Sequence, residues 1–448
     1  MRASCLIPGT FLLSSLIVTG GGAQSPARGN AAAQREDLAA FERDFLNVDR
    51  AFSPAARAEA KRRLASLTAQ AGTLSDTRFG LSLAQIVALA DNGHTLTINR
   101  GNGSGFRRVG IRLAPFGQDF YVLRATADHA ELLGARLVAI DGTPIARLRD
   151  SARTLAGGIP AWRDRNAGAF LESPGQLYAM GLARGESRAS YRLATRDGKT
   201  RDVGLALAPD LPSGGYRAAA ILEPLDERNG WRALLTPAKA PWSLQQFDQT
   251  LRRRDAPELD AYLIQLRANV DGSESIADFL ADSDSLRRAA HRRNIVLDMR
   301  MNGGGNLQLT QKWMSSIVSR LPADGRVVVL TSPWTFSAAI SSTGYLKQSA
   351  PARVVLVGEA PGDRLNFFAE GQPMQLPHSG AMYLVATQRH DYITGCKRYT
   401  DCHGYVVRFP IAVKNLDPDV SAPWTLESYA AGRDPGMEAV ARILGRAK

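Results

Sequence analysis

Cysteine, histidine and long apolar runs are all scarce in this chain. Its 448 residues carry 3 cysteines and 6 histidines, with no Cys-x-x-Cys pair. That excludes a disulfide-dense miniature fold and a multi-finger zinc scaffold. Beyond residue 23 no stretch approaches the ~18–20 apolar residues that span a bilayer, which excludes a multi-pass helical membrane protein. Aromatics are 7% of the sequence and are not interleaved with the basic clusters. The formal charge of +12 is therefore read as arginines on solvated helix faces, as in Lys61-Arg62-Arg63, Arg252-Arg253-Arg254 and Arg287-Arg288. No nucleic-acid partner is expected.

What is present begins with Met1-Arg2, the apolar groups Leu6-Ile7, Phe11-Leu12-Leu13 and Leu16-Ile17-Val18, and the small exit Gly20-Gly21-Gly22-Ala23. This is the charged, apolar, small-residue order of a secretory signal cleaved after Ala23. Pro8 and the glycines leave too short a run for an uncleaved anchor. The mature chain is expected to be periplasmic or secreted. Cys5 leaves with the signal, and Cys396 and Cys402 then form the mature pair, expected to be a disulfide in an oxidising compartment. With His390 and His403 they would also supply four zinc donors, but the spacings match no common zinc module. Neither a metal nor a cofactor is expected.

A mature chain of this length is too long for one ordinary core, and an α/β multidomain protein is expected. Residues 24–100 carry helical periodicity, as in Phe41, Phe45 and Val48, and form the expected N-terminal helical domain, which ends near His94. Residues 101–210 turn to short β runs, among them Val109 to Leu113, Phe120 to Leu123 and Arg136 to Ile140, with a hairpin signal at Asp141-Gly142. A Pro/Gly-rich joint from Pro209 to Gly215 follows. In residues 211–448, strands at Leu259 to Leu266, Ile295 to Met299, Val327 to Leu330 and Val354 to Gly358 alternate with helical segments, which predicts an α/β core with a largely parallel sheet.

Two features of that core carry chemistry. Ser337, in Thr335-Phe336-Ser337-Ala338-Ala339, follows the apolar run Val327 to Leu330 where a strand gives way to a helix, a natural station for a nucleophile. The run Asn294 to Arg300 breaks into Gly303-Gly304-Gly305, whose unobstructed amides can approach an oxygen anion. A serine hydroxyl still needs a base. Of the histidines, His94 stands out because it ends a helix and opens a strand.

Asp298 to Gly305, then Thr335 to Ala339, Val357-Gly358-Glu359 and Leu416-Asp417-Pro418-Asp419-Val420 resemble, in order, the catalytic domain of the tail-specific and tricorn-type serine peptidases. Asp91-Asn92-Gly93-His94-Thr95 is similar to the tricorn-like branch, and Leu133 to Ile145 resembles the core of a PDZ domain. The resemblance implies a nucleophile at Ser337, a general base at His94 and oxyanion amides at Gly304, Gly303 and Ala338. Asp298, Arg300 and Asn302 would be structural. Polypeptides would be the substrates.

Two departures stand out. The Ser-Lys branch places a lysine soon after the Gly-Glu turn, where this chain has Asp363-Arg364, and arginine cannot serve as a base. Only Lys347 or Lys397 remains as a substitute. The family's orienting glutamate is also missing from Pro410 to Asn415. Asp391, Asp401 and Asp363 are available in its place, and Asp391 is the candidate adopted. That missing acid keeps two rivals open, a non-catalytic peptide-binding homologue and a hydrolase of esters or other acyl groups. Bland alternatives remain too: Ser337 as a helix N-cap, His94 as a joint residue, the glycines as a loose loop. Thiol titration of the denatured, unreduced mature protein is expected to find no free thiol.

Overall fold

Four apolar runs build a six-stranded sheet at the centre of the molecule. In the computed structural model, which describes residues 29–100, 104–209 and 220–445, the strands lie in the order Val420–Ser421, Val354–Gly358, Val327–Thr331, Asn294–Asp298, Ala261–Leu266 and Leu251–Ala256. All neighbours are parallel except the last pair. The expected signal at 1–23 and the part of the joint beyond Pro209 lie outside the described residues.

The inner strands are buried on both faces, which is why they read as unbroken apolar runs. Alternate residues serve opposite cores. Val327, Val329, Ile295 and Leu297 face the helices Ile276–Ala289, Gln308–Ser316 and Ala338–Ser349. Val328, Leu330 and Val296 instead meet Ala439 and Val440 of the helix Pro435–Leu444. The period-2 geometry of a strand thus packs helices on both sides of one sheet.

The arginine run Arg252-Arg253-Arg254 corrects the sequence reading. It lies on a strand, Leu251–Ala256, and not on a solvated helix face. Arg252 stacks on Trp242, donates to Trp242 O and Gln265 Oε1, and is buried. A guanidinium stem can cover apolar surface while its head finds carbonyls, so charge counting alone misjudged the run.

A second, antiparallel sheet runs Ile111–Phe116, Asp119–Thr126, Arg136–Ile140, Arg188–Ala194 and Thr200–Ala206. Asp141 and Gly142 both take positive φ, 48° and 85°, and turn the chain so that Ile140 pairs with Thr143. The N-terminal helices Ala31–Ala40, Pro54–Ala69 and Asp76–Val87 start at the caps Asn30, Ser53 and Ser75. Their core is completed from far along the chain, because Phe41 and Phe45 pack on Tyr383. The strand Leu96–Asn99 likewise pairs with Met382–Leu384.

At the carboxyl end of the central sheet lies a buried ion cluster. Arg300 donates from Nε and Nη2 to Asp298 and from Nη1 and Nη2 to Asp434, at 2.6 to 2.9 Å. Burial alone would raise the Asp434 carboxyl, but the Arg300 charge and hydrogen bonds from Arg300, Ser243 and the Met437 amide hold it below its ordinary range. Arg300→Met strands two buried carboxylates and is expected to cost about 3–5 kcal/mol, read as a lower urea midpoint. Because the folded Asp434 value is depressed, its contribution is fully present above the ordinary carboxylate pKa of about 3.9 and fades as acid titrates through the lowered value. Asp434→Asn should therefore flatten the acid limb of the stability profile.

Candidate active site

The loop carrying Ser337 is laid onto the loop carrying the glycines by hydroxyls. Ser332 Oγ donates to Arg300 O at 2.6 Å and Thr335 Oγ1 to Met299 O at 2.9 Å. The Phe336 amide donates to Asn302 O at 2.9 Å. Ser337 then sits at the first boundary of the helix Ala338–Ser349 with φ 55° and ψ −126°, and its side chain makes no cap hydrogen bond. The N-cap role is therefore not the one it plays. A non-glycine residue held at positive φ costs roughly 1–3 kcal/mol, a strain that concentrates at functional turns. The half-buried Ser337 Oγ bonds to nothing among the described residues.

Gly304 lies against this serine. Its φ is +107°, and a Cβ on it would stand 2.5 Å from Ser337 Cβ and 3.1 Å from Ser337 Oγ. Only a glycine permits that approach. Its amide, however, donates to Asn302 Oδ1 at 2.9 Å, which corrects the expectation that it is the leading oxyanion donor. The exposed Gly303 amide and the amide of Ala338, in the first turn of the helix, make no hydrogen bond among the described residues. An N–H at a helix N-terminus is an orphan by construction and is free to meet an anion.

His94 arrives from the joint between the N-terminal helices and the strand Leu96–Asn99, after Asp91 turns the chain at φ 48°. Asn92 fastens that joint to the strand Asn366–Ala369. Its Nδ2 donates to Phe368 O at 2.9 Å and its Oδ1 accepts from the Phe368 amide at 3.0 Å. The imidazole is 7% exposed. It is stacked between Phe336 at 4.4 Å and Phe367 at 4.9 Å. Phe336 immediately precedes Ser337, so the His94 ring packs on the residue next to the candidate nucleophile. Neither ring nitrogen makes a hydrogen bond among the described residues, Ser337 Oγ included.

The carboxylate facing His94 is Asp363, not Asp391. Asp363 Oδ2 lies 3.4 Å from His94 Nδ1, with the side chain 1% exposed and that oxygen otherwise without a partner. Its other oxygen accepts from the Arg364 amide at 2.9 Å. Gly93 makes room, because a Cβ there would meet Asp363 Oδ2 at 2.6 Å. Asp391 is committed elsewhere: it accepts from the Ile393 and Thr394 amides, Thr394 Oγ1 and Arg389, and so closes its own turn. One signal for Asp363 was available in the sequence. It lies five residues beyond the strand Val354–Gly358, on the sheet edge where Asp298 and Thr331 also end.

The remaining candidates have other places. Lys347 Nζ donates to Val354 O and Asp419 Oδ2, both at 2.9 Å, and Lys397 is exposed on the cysteine loop. Asp419 also accepts from the Leu356 amide, so the Pro-Asp element pins a strand. Asn302 Nδ2 donates to Asn269 Oδ1. Cys396 and Cys402 are joined, with Cα atoms 5.8 Å apart. A cleft of about 830 Å³ is lined among others by Leu96, Ile98, Trp162 and Trp334, and by none of Ser337, His94 and Asp363. Trp162 stacks on Phe336 at 3.8 Å.

Among solved structures, the chain superposes on a serine-to-alanine mutant of CPAF with TM-score 0.58 at 12% identity, covering 92% of this chain and 96% of that one. Mature CPAF complexed with lactacystin gives TM-score 0.56 at 13% identity, over 92% and 98%. The chain has the fold of CPAF. The photosystem II D1 C-terminal processing protease matches at 16% identity over 93% and 97%, and tricorn protease at 14% over 93% and 37%, each with TM-score 0.37. Superposition that loose assigns no residue. The last two carry the names of a C-terminal processing protease and of tricorn protease, the group whose motifs the sequence resembles. No protein-family model matches the chain, and no curated protein does.

Gly304→Ala tests the approach of the two loops. A methyl at positive φ against Ser337 is expected to cost about 1–3 kcal/mol in urea unfolding. Wild-type stability would show that the loops part without penalty.

Proposed function

We propose that the protein is an exported serine peptidase that cleaves peptide bonds through an acyl-enzyme on Ser337. His94 takes the serine proton as Oγ attacks the scissile carbonyl and returns it to the leaving amine. Asp363 holds the imidazole by Nδ1 and stabilises the imidazolium. The amides of Gly303 and Ala338 receive the oxyanion, and Gly304 can join them if Asn302 releases its N–H. The observation that carries this reading is the pair His94 Nδ1 and Asp363 Oδ2, buried, facing each other and otherwise unpartnered, in a ring stacked on the neighbour of Ser337. The strand Leu96–Asn99 lies at the edge of its sheet two residues after His94, and an extended peptide adding there would run along the cleft.

A second reading, a catalytically weak homologue that binds peptides, rests on one feature: His94 makes no hydrogen bond to Ser337. Unliganded sites often hold such contacts long and tighten them on substrate. A fluorophosphonate probe followed by peptide mass spectrometry separates the two. Labelling of Ser337 is expected. Ser337→Ala and His94→Ala should each remove turnover of an unfolded protein by several orders of magnitude, and the double variant should be little worse. Asp363→Asn should lose about 10⁴-fold, as when a triad acid is neutralised. Asp391→Asn and Lys347→Met should stay within a few-fold of wild type. Wild type that neither labels nor cleaves supports binding alone, and cleavage of small esters without any protein cleavage supports an acyl hydrolase.

A further inference from the structure

The ring stack that holds His94 does not end at Phe367. His390 stacks on the far face of Phe367 at 5.0 Å with an interplanar angle of 6°, and His403 stacks on His390 at 5.3 Å. The backbone explains the register. Phe367 and His390 are directly paired in antiparallel strands, and Cys402 bridges to Arg389 so that the His403 amide donates to Arg389 O at 3.0 Å. Cys402 is itself tied to Cys396, which fixes His403 beside its partner. Glu370, one residue past the strand Asn366–Ala369, closes the group. Donor atoms of Glu370, His390 and His403 all lie within 4.8 Å of one another.

We propose that Glu370, His390 and His403 form a binding site for a transition-metal dication of the Zn²⁺ class. Two imidazoles and a carboxylate are a standard donor set for such an ion, with the fourth position left to water. His390 Nε2 lies 3.3 Å from Glu370 Oε1, near the separation of about 3.3–3.5 Å between donors on a tetrahedral ion with ~2.0–2.2 Å bonds. The two are close enough for an ion pair but meet outside hydrogen-bond geometry, and His390 Nε2 and His403 Nδ1 are buried without a hydrogen bond among the described residues. His390 is 2% exposed, so its unmet nitrogen points into the cluster from the core. Its opposite nitrogen, Nδ1, is 2.8 Å from Tyr392 OH, which is 2.6 Å from Ser341 Oγ. With Nδ1–H donating along that chain, the lone pair on Nε2 is free for a metal, the arrangement in which a supporting partner fixes the ligating tautomer. Glu370 is 42% exposed and gives the ion a path from solvent. The cysteines take no part, being paired with each other, so this site differs from the four-donor set that the sequence suggested.

A bound ion would clamp the strand pair whose Phe367 forms one wall of the His94 slot, and this proposal does not depend on the peptidase reading. The test uses tag-free mature protein, stripped with a chelator and dialysed, then titrated with ZnCl₂ alone by calorimetry and with CoCl₂ by visible absorption. One Zn²⁺ per chain, a melting temperature that rises with Zn²⁺, and the intense visible band of four-coordinate Co²⁺ are expected. Glu370→Gln and His403→Ala should each weaken binding by at least ~10-fold, the scale set by losing even a supporting partner of a ligand. Circular dichroism checks their folding, and Glu370→Gln, an exposed and near-isosteric change, decides alone if His403→Ala does not fold. No uptake at micromolar Zn²⁺, or wild-type affinity in the folded variants, overturns the proposal.

Discussion

The site depends on one buried cation. Arg300 fills all three guanidinium nitrogens with the carboxylates of Asp298 and Asp434, and so anchors the point where the strand Asn294–Asp298 ends to the helix Pro435–Leu444. A buried charge is tolerable only when its partners are fixed, and fixing them fixes the backbone between. The carbonyls of Met299, Arg300 and Asn302 are thereby held out as acceptors, and the 332–336 loop binds to them through Thr335, Ser332 and the Phe336 amide. Ser337 owes its positive φ and its place against Gly304 to this arrangement.

His94 is placed by a different kind of force. His94 belongs to a segment whose backbone is hooked to the strand Asn366–Ala369 by Asn92, and its ring is placed by apolar stacking between Phe336 and Phe367. Stacking fixes the plane of an imidazole and leaves rotation within that plane to its hydrogen-bond partners. Asp363 faces one edge of the ring at 3.4 Å, the one carboxylate near enough among the described residues to orient it. Three distant stretches of chain converge here, around 94, 300–337 and 363–367.

What the sequence disclosed follows from how local each feature is. The parallel strands were legible because burial on both faces writes an unbroken apolar run, and the turn at Ser337 because a strand-to-helix junction marks itself by texture. The joint at His94 was legible as well. The carboxylate facing it was signalled only by its place past a strand end, and with three aspartates on offer the fold decides which one meets Nδ1. Arg252 to Arg254 were misread because an arginine on a strand beside Trp242 looks, in sequence, like one on a solvated helix. The commitment of the Gly304 amide to Asn302 was equally hidden, since residue types do not say which way a peptide plane turns. Nor does any local pattern reveal that Tyr383 completes the core of helices formed some 300 residues earlier.

Unmet polar atoms give the last step. Folded proteins pair nearly all buried donors and acceptors, because each one left alone costs about 1–3 kcal/mol. Here His94 Nδ1 and Nε2, Asp363 Oδ2, His390 Nε2 and His403 Nδ1 are all buried without a hydrogen-bond partner among the described residues, and all lie in or beside a single column of stacked rings. His378 on the surface, by contrast, meets Glu36 through Nε2. Stacking supplies the apolar contact that holds these rings in place while leaving their edges open. A column built that way leaves its polar edges free, which is the feature that both proposals for this region start from.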